Sequence, residues 1–304
     1  MFKRYADSAM IAEAREQSKG KVVWKEVLIF LAVFFVTTIV SSLILEIPMI
    51  LELAKKLLTG YSISSALDFV NSQTFILLSL FVTVITTIGA IIYCTKIEKR
   101  RLSTMGFIRK NAVKEYLIGF VIGIGMLAAS LLLCVITGTA KISFSGGSIG
   151  MILLFLFGYL LQGMSEEVLV RGYFMISLGR ENSIGWAVIM SSLMFAMLHI
   201  FNAGLSVLAF VNLALYGLLM ALYMLKHGSI WGVCAIHSAW NFVQGNVFGI
   251  QVSGMPLTES VFATELTGSH WITGGDFGLE GGLAVTVVLI AGLALVWLKK
   301  RKSV

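Results

Sequence analysis

Residues 27–45 read VLIFLAVFFVTTIVSSLIL, a run that contains no charged side chain. A helix of about 20 apolar residues spans the hydrocarbon core of a bilayer, because it satisfies its own backbone hydrogen bonds where no water can. Further apolar runs occupy residues 75–95, 116–137, 149–165, 184–200, 206–225, 229–248 and 282–298. The sequence therefore predicts an all-α polytopic membrane protein with about eight transmembrane helices.

The composition of the whole chain supports this class. Of the 304 residues, 58% are hydrophobic and 13% are charged, whereas a soluble domain carries roughly 25% charged residues. Too few polar side chains remain to cover a soluble globule. These proportions exclude a soluble enzyme, a disordered chain and a nucleic-acid-binding protein, and they make the lipid bilayer the first expected partner.

The distribution of basic residues predicts the orientation of the chain. If both termini are cytoplasmic, the cytoplasmic segments hold 20 of the 23 lysines and arginines, and the positive-inside rule favours that arrangement. We therefore expect a cytoplasmic N-terminal segment at 1–26, an eight-helix membrane domain at 27–298 and a basic cytoplasmic tail at 299–304. Residues 249–281, with four acidic residues and no lysine or arginine, then form a flexible outer loop, and a substrate gate is the less expected alternative.

Charged residues follow the fourth apolar run, in the stretch QGMSEEVLVRG at residues 162–172. An ionised group at the bilayer centre costs roughly 2.5–3.5 kcal/mol, so its presence there requires a reason. Either the helix ends at Ser165, with two glutamates in the interface, or it continues to about residue 179. We favour the longer helix, because it brings Glu166 to a depth similar to that of three polar residues on later helices, His199, His237 and Asn241.

Spacing within this helix separates the two glutamates. Glu167 and Arg171 are four residues apart in the favoured acid-to-base order, and we expect them to form a supporting ion pair. Glu166 points about 100° away around the helix and has no such partner. A buried glutamate without a cationic partner is suited to act as a general base near neutral pH.

Each of the two histidines shares a helix face with a residue four positions away, Phe195 with His199 and His237 with Asn241. One glutamate oxygen and two histidine nitrogens are also the protein ligands of many catalytic zinc sites, with water as the fourth ligand. Glu166, His199 and His237 are therefore candidate ligands for Zn²⁺ or another divalent metal. Without a metal, the same set is a Glu/His pair that activates water, with His237 and Asn241 stabilising an oxyanion. Both alternatives stay open.

Three motifs thus occur in order along the chain, Glu166-Glu167-x-x-x-Arg171, Phe195-x-x-x-His199 and His237-x-x-x-Asn241. In this order they resemble the CAAX-protease and bacteriocin-processing (CPBP, or Abi) family of intramembrane proteases, which includes the type II CAAX prenyl endopeptidases. The resemblance covers about 149–245, which would form the catalytic core of an eight-helix fold with its site in a cavity within the bilayer.

The resemblance implies an intramembrane endopeptidase. In that function Glu166 and His199 activate the hydrolytic water, and His237 and Asn241 complete the site as metal ligand or oxyanion stabilisers. Glu167, Arg171 and Phe195 have supporting roles. Whether the reaction uses a metal or only the glutamate is left open, with a slight preference for a metal.

Family substrates differ widely: eukaryotic members trim prenylated C-termini, and bacterial members are linked to bacteriocin maturation, self-immunity and peptide signalling. The short loops and strong positive-inside pattern favour a bacterial plasma membrane, so a prenylated substrate is less expected than another membrane-associated protein or peptide. The alternative function is a non-catalytic immunity or scaffold protein, in which the polar cluster only holds helices together. A transporter is less expected, because the ionisable residues cluster at one place.

Overall fold

The computed structural model describes residues 5, 8–18, 20, 22–58 and 72–298. The predicted basic tail at 299–304 and part of the predicted N-terminal segment at 1–26 lie outside the described residues. Helices make up most of the described chain, which confirms the all-α polytopic class. The membrane face on which each terminus lies stays a prediction.

Eight apolar helical segments within the described residues correspond to the predicted spans, and two short helices, α1 (Ala9–Glu16) and α9 (His270–Thr273), lie outside them. The first four segments are α2 (Val23–Leu58), α3 (Gln73–Ile97), α4 (Ala112–Ile136) and α5 (Ile149–Glu181). The others are α6 (Ile184–Met197), α7 (Val207–His227), α8 (Trp231–Phe242, continued by a π-helical turn at Val243–Val247) and α10 (Leu283–Leu298). Five of the eight, α2 to α5 and α7, are long and apolar enough to cross a membrane.

A small antiparallel sheet lies outside the apolar helices. Its strands are β1 (Ala140–Phe144) and β2 (Phe262–Leu266), paired from Ala140 opposite Leu266 to Phe144 opposite Phe262. Strand β2, helix α9 and two 3-10 turns all belong to residues 249–281. The segment predicted as a flexible loop therefore has secondary structure of its own, because β1, far away in the sequence, supplies the partner for β2.

Glycines bring α8 close to both α4 and α5. A Cβ atom on Gly119 or Gly123 of α4 would lie 2.3 Å or 2.4 Å from carbonyl oxygens of α8. A Cβ atom on Gly163 of α5 would lie 2.7 Å from the backbone nitrogen of Ser238 on α8. No other residue allows helix axes to approach so closely. The contact at Gly163 sets the distance between the glutamates of α5 and His237 of α8.

A buried group of charges ties the other end of α5 to α2 and α3. Arg180 pairs with Glu26 at 3.0 Å and with Glu98 at 2.6 Å, and Arg100 pairs with Glu98 at 2.8 Å. Breaking a buried ion pair leaves a charge without compensation, which is strongly destabilising. This network therefore holds the three helices in one arrangement. Glu166 and Glu167 lie in the middle of α5 and are not part of it.

We expect Gly163→Ala to destabilise the protein by about 1–3 kcal/mol, because the added methyl group must push α5 away from α8. Thermal unfolding in detergent measures the loss. Gly125→Ala in α4 is the matched control, since a Cβ atom at Gly125 meets no other atom within 4 Å. Equal unfolding temperatures for the two variants would contradict a tight contact at Gly163.

Candidate active site

Helix α5 continues through the charged stretch without a break. Its α-helical part, Ile149–Glu167, is followed by a π-helical segment, Val168–Met175, and by a final α-helical turn, Ile176–Glu181. The longer of the two helices considered from the sequence is thus the one that forms. Glu166 and Glu167 lie well inside it, beside a π-helical segment of the kind that is frequent at functional sites.

The carboxylate of Glu167 joins α5 to α8. Its Oε1 lies 3.2 Å from Arg171 Nη1 and 2.9 Å from His237 Nδ1. The side chains of Glu167 and Arg171 are fully buried, so water does not screen their attraction. The Arg171 guanidinium also lies over the Phe195 ring, 4.3 Å from its centroid. The expected ion pair is present, and its carboxylate also orients His237.

Glu166 lies where α5, α8 and the end of α6 meet. Its Oε2 is 3.7 Å from His237 Nε2 and 3.9 Å from His199 Nε2. Its Oε1 accepts a hydrogen bond from the Gln162 amide, whose oxygen accepts a hydrogen bond of 2.9 Å from Asn241 Nδ2. Gln162 therefore joins Glu166 to Asn241, a link between two helices that no local sequence pattern predicts.

Both histidines direct Nε2 toward Glu166, because a hydrogen bond holds the other ring nitrogen. His199 Nδ1 lies 2.8 Å from the Phe195 carbonyl oxygen, and His237 Nδ1 lies 2.9 Å from the Glu167 carboxylate. These oxygens accept and cannot donate, so each Nδ1 carries the hydrogen. Each Nε2 therefore offers a lone pair when its ring is neutral and a hydrogen when its ring is charged.

His199 lies just beyond the helix that was expected to contain it. Helix α6 ends at Met197, and the backbone N–H of His199 donates to the Ala196 carbonyl across a turn. The predicted span 184–200 is therefore too long at its end. The spacing argument still holds locally, because the rings of Phe195 and His199 are in contact, with 4.8 Å between their centroids.

A cavity of ≈ 130 Å³ joins these side chains. All four residues predicted to be catalytic line it, together with Phe195: Glu166, His199, His237 and Asn241. The supporting pair, Glu167 and Arg171, does not line the cavity. Apolar side chains from α7, α8 and α10 complete much of its wall, among them Leu213, Trp240, Val285 and Leu289.

Further polar side chains that were not predicted as site residues line the cavity, among them Gln162, Tyr216 and Glu280. The four-residue spacing from Glu166 is a signal that identifies Gln162. Tyr216 lies in an apolar run and Glu280 in a distant loop, so no local pattern connects either residue with the site. The Tyr216 hydroxyl is buried and has no hydrogen-bond partner among the described residues.

Glu280 reaches the cavity from the 3-10 turn Leu279–Gly281, directly before α10. Its carboxylate accepts hydrogen bonds from the Ser253 backbone N–H at 2.8 Å, the Ser253 hydroxyl at 3.2 Å and the Gln244 amide at 3.0 Å. Burial raises the pKa of Glu280 to about 7, although these hydrogen bonds oppose the shift. Glu280 thus fastens the outer loop to the end of α8.

The three predicted metal ligands converge, with Glu166 Oε2 3.7 Å from His237 Nε2 and 3.9 Å from His199 Nε2. Among the residues that the structure describes, no group of three or more His, Cys, Asp or Glu side chains is arranged to hold a metal ion. The Zn²⁺ or other divalent metal expected at Glu166, His199 and His237 stays a prediction.

We expect Glu167→Gln to destabilise the protein by about 3–5 kcal/mol, because it leaves the Arg171 guanidinium buried without its counter-ion. The double substitution Glu167→Gln/Arg171→Met removes both charges and is expected to recover part of the loss. Chemical denaturation in detergent measures both values. A double variant as unstable as Glu167→Gln alone would show that the stranded guanidinium is not the cause.

Residues 148–243 match a family model described as type II CAAX prenyl endopeptidase Rce1-like. No curated protein and no solved structure matches the chain. The matched residues begin at the N-terminus of α5, end in α8 and include Glu166, His199, His237 and Asn241. The match confirms the resemblance found in the sequence and supports, in general terms, an intramembrane CAAX-type endopeptidase. Residues 148–243 of this integral membrane protein are therefore similar to the type II CAAX prenyl endopeptidases.

Proposed function

We propose that this protein is an intramembrane endopeptidase that hydrolyses a peptide bond of a membrane-associated protein or peptide, using water activated by Glu166 and His199. The observation that carries the proposal is the convergence of Glu166 Oε2 with Nε2 of His199 and His237 in one cavity. Both histidines are held through Nδ1, so the reacting groups are positioned before the substrate binds.

The proposed reaction begins with a water molecule between Glu166 and His199. The 3.9 Å between Glu166 Oε2 and His199 Nε2 exceeds a hydrogen-bond length, and water bridges polar groups across such a gap. The Glu166 carboxylate removes a proton while the water oxygen attacks the scissile carbonyl carbon. The same proton then passes to the leaving nitrogen as the C–N bond breaks, so one water is consumed and Glu166 is regenerated.

His237 and Asn241 are proposed to stabilise the oxyanion. A charged His237 ring donates from Nε2, and the Glu167 carboxylate at Nδ1 stabilises that charge. Asn241 donates one amide hydrogen to Gln162, which leaves its second amide hydrogen for the oxyanion. Hydrogen bonds to a developing charge are stronger in a cavity that excludes bulk water than at an exposed surface.

The proposed location is a bacterial plasma membrane, where the substrate is another membrane-associated chain. If a divalent metal binds Glu166, His199 and His237, it supplies a more acidic bound water. The side chains of this site carry out each proposed step without it.

We expect Glu166→Gln to reduce cleavage at least about 100-fold, because the amide keeps the shape of the side chain but cannot accept the proton. The secreted and membrane-bound peptides of cells that contain the wild-type protein or the variant are compared by mass spectrometry. Peptide ends that are present with the wild type and absent with the variant establish proteolysis, and their sequences identify the substrate.

Glu265→Gln is the matched control, since Glu265 is an exposed carboxylate on β2 that does not line the cavity. Its peptide profile is expected to equal that of the wild type. Identical profiles for the wild type and Glu166→Gln, at equal protein levels, would overturn the proposal and favour the non-catalytic immunity or scaffold function.

We also expect the purified protein in proteoliposomes to remain active after treatment with a strong chelator, because the proposed steps use side chains and water only. The rate of substrate cleavage before and after chelation is the measurement, with Glu166→Gln as the inactive baseline. A loss of activity that returns on addition of Zn²⁺ would establish the metal-dependent alternative instead.

A further inference from the structure

Carboxylates line the active-site cavity, and the basic side chains among its described lining residues are the two imidazoles, His199 and His237. Two carboxylates line it, Glu166 and Glu280, and no lysine or arginine is among the described residues of its lining. Arg171 does not line the cavity, because its guanidinium lies against Glu167 and the Phe195 ring. A ligand that enters this cavity therefore meets an environment that favours positive charge.

Glu280 has no part in the proposed hydrolysis, and its carboxylate can accept a further hydrogen bond from a ligand. A carboxylate accepts about four hydrogen bonds, and three donors from Ser253 and Gln244 reach this one. Two of them bind Oε2, whereas Oε1 receives only the Ser253 hydroxyl at 3.2 Å. Oε1 therefore keeps an acceptor position in the cavity wall.

A second observation that points to a polar ligand is the side chain of Tyr216. It is only 7% exposed, it lines the same cavity, and its hydroxyl has no hydrogen-bond partner within the described chain. A buried polar group without a partner is costly. A ligand that brings an N–H group into the cavity would satisfy the hydroxyl oxygen.

We propose that Glu280 is a specificity-determining residue that binds a cationic side chain of the substrate, a lysine or an arginine close to the scissile bond. This inference rests on the proposed function, since it concerns the substrate of the same cavity. The cationic group of the substrate side chain pairs with the Glu280 carboxylate, and one of its N–H groups donates a hydrogen bond to the Tyr216 hydroxyl oxygen. The methylene stem of the substrate side chain packs against the apolar part of the wall, which includes Leu213 and Leu289.

The charge of the outer loop supports the same preference. Besides Glu280, residues 249–281 contain three acidic residues and no lysine or arginine. One of the three, Glu265, lies opposite Lys141 in the strand pair, and the net negative charge of the segment attracts ligands of the opposite sign. A peptide bond next to a basic residue is therefore favoured.

The test uses synthetic peptides that share one membrane-spanning segment and have randomised residues beside it. Lysine, norleucine or glutamate is fixed at each randomised position in turn. Cleavage is measured at pH 8 in proteoliposomes that contain the wild type, Glu280→Gln, Glu280→Lys or the control Glu265→Gln.

At one of the randomised positions, we expect the wild type and the control to cleave lysine peptides at least about tenfold faster than norleucine peptides. A close buried charge pair contributes enough binding free energy for such a preference. Glu280→Gln should bring that ratio near one, and Glu280→Lys should reverse the preference toward glutamate, which a damaged fold cannot do.

A wild-type protein without a lysine preference would overturn the proposal, whatever the variants do. An unchanged preference in folded Glu280→Gln and Glu280→Lys would overturn it as well. The proposed function is judged separately by Glu166→Gln. Cleavage of any peptide set that Glu166→Gln abolishes supports proteolysis, even if charge preference is absent. Cleavage that is equal in the wild type and Glu166→Gln would instead contradict the proposed function.

Discussion

The buried carboxylate of Glu167, held between Arg171 and His237, is the interaction on which the geometry of the site depends. The side chains of Glu167 and Arg171, both on α5, are removed from water. A buried ion pair is stable only while each charge keeps its partner. A shift of α8 along α5 would break the hydrogen bond between His237 Nδ1 and the buried Glu167 carboxylate. Because His237 is held by Nδ1, its Nε2 is directed toward Glu166.

The contact is possible because small side chains let the helices approach. Gly163 lies one turn before Glu167 and faces the Ser238 backbone, so α5 and α8 meet next to the ion pair. The Phe195 ring extends the arrangement to α6, since Arg171 lies over it and His199 packs beside it. One buried charge and one aromatic ring thus position groups from three helices.

Neighbouring glutamates acquire different environments from a rotation of about 100° per helical residue. Glu167 turns toward α8 and is fully buried, whereas the side chain of Glu166 is 27% exposed and lines the cavity. The local pairs, Glu167 with Arg171 and Phe195 with His199, could be predicted because four-residue spacing places side chains on one helix face. Gln162 follows the same rule from Glu166. The end of α6 before His199 and the pairing of β1 with β2 could not be predicted, since no local pattern encodes them.

The sequence by itself determined the membrane class, the eight apolar segments and the polar residues that share a face of one helix, because hydropathy and helical periodicity are local properties. Only the tertiary structure decided that Glu167 binds His237, that Gln162 joins Glu166 to Asn241, and that Tyr216 and Glu280 line the same cavity. These relations join residues that are far apart along the chain. They depend on how closely the helices pack and on where the outer loop is fastened, and neither is a property of any single segment.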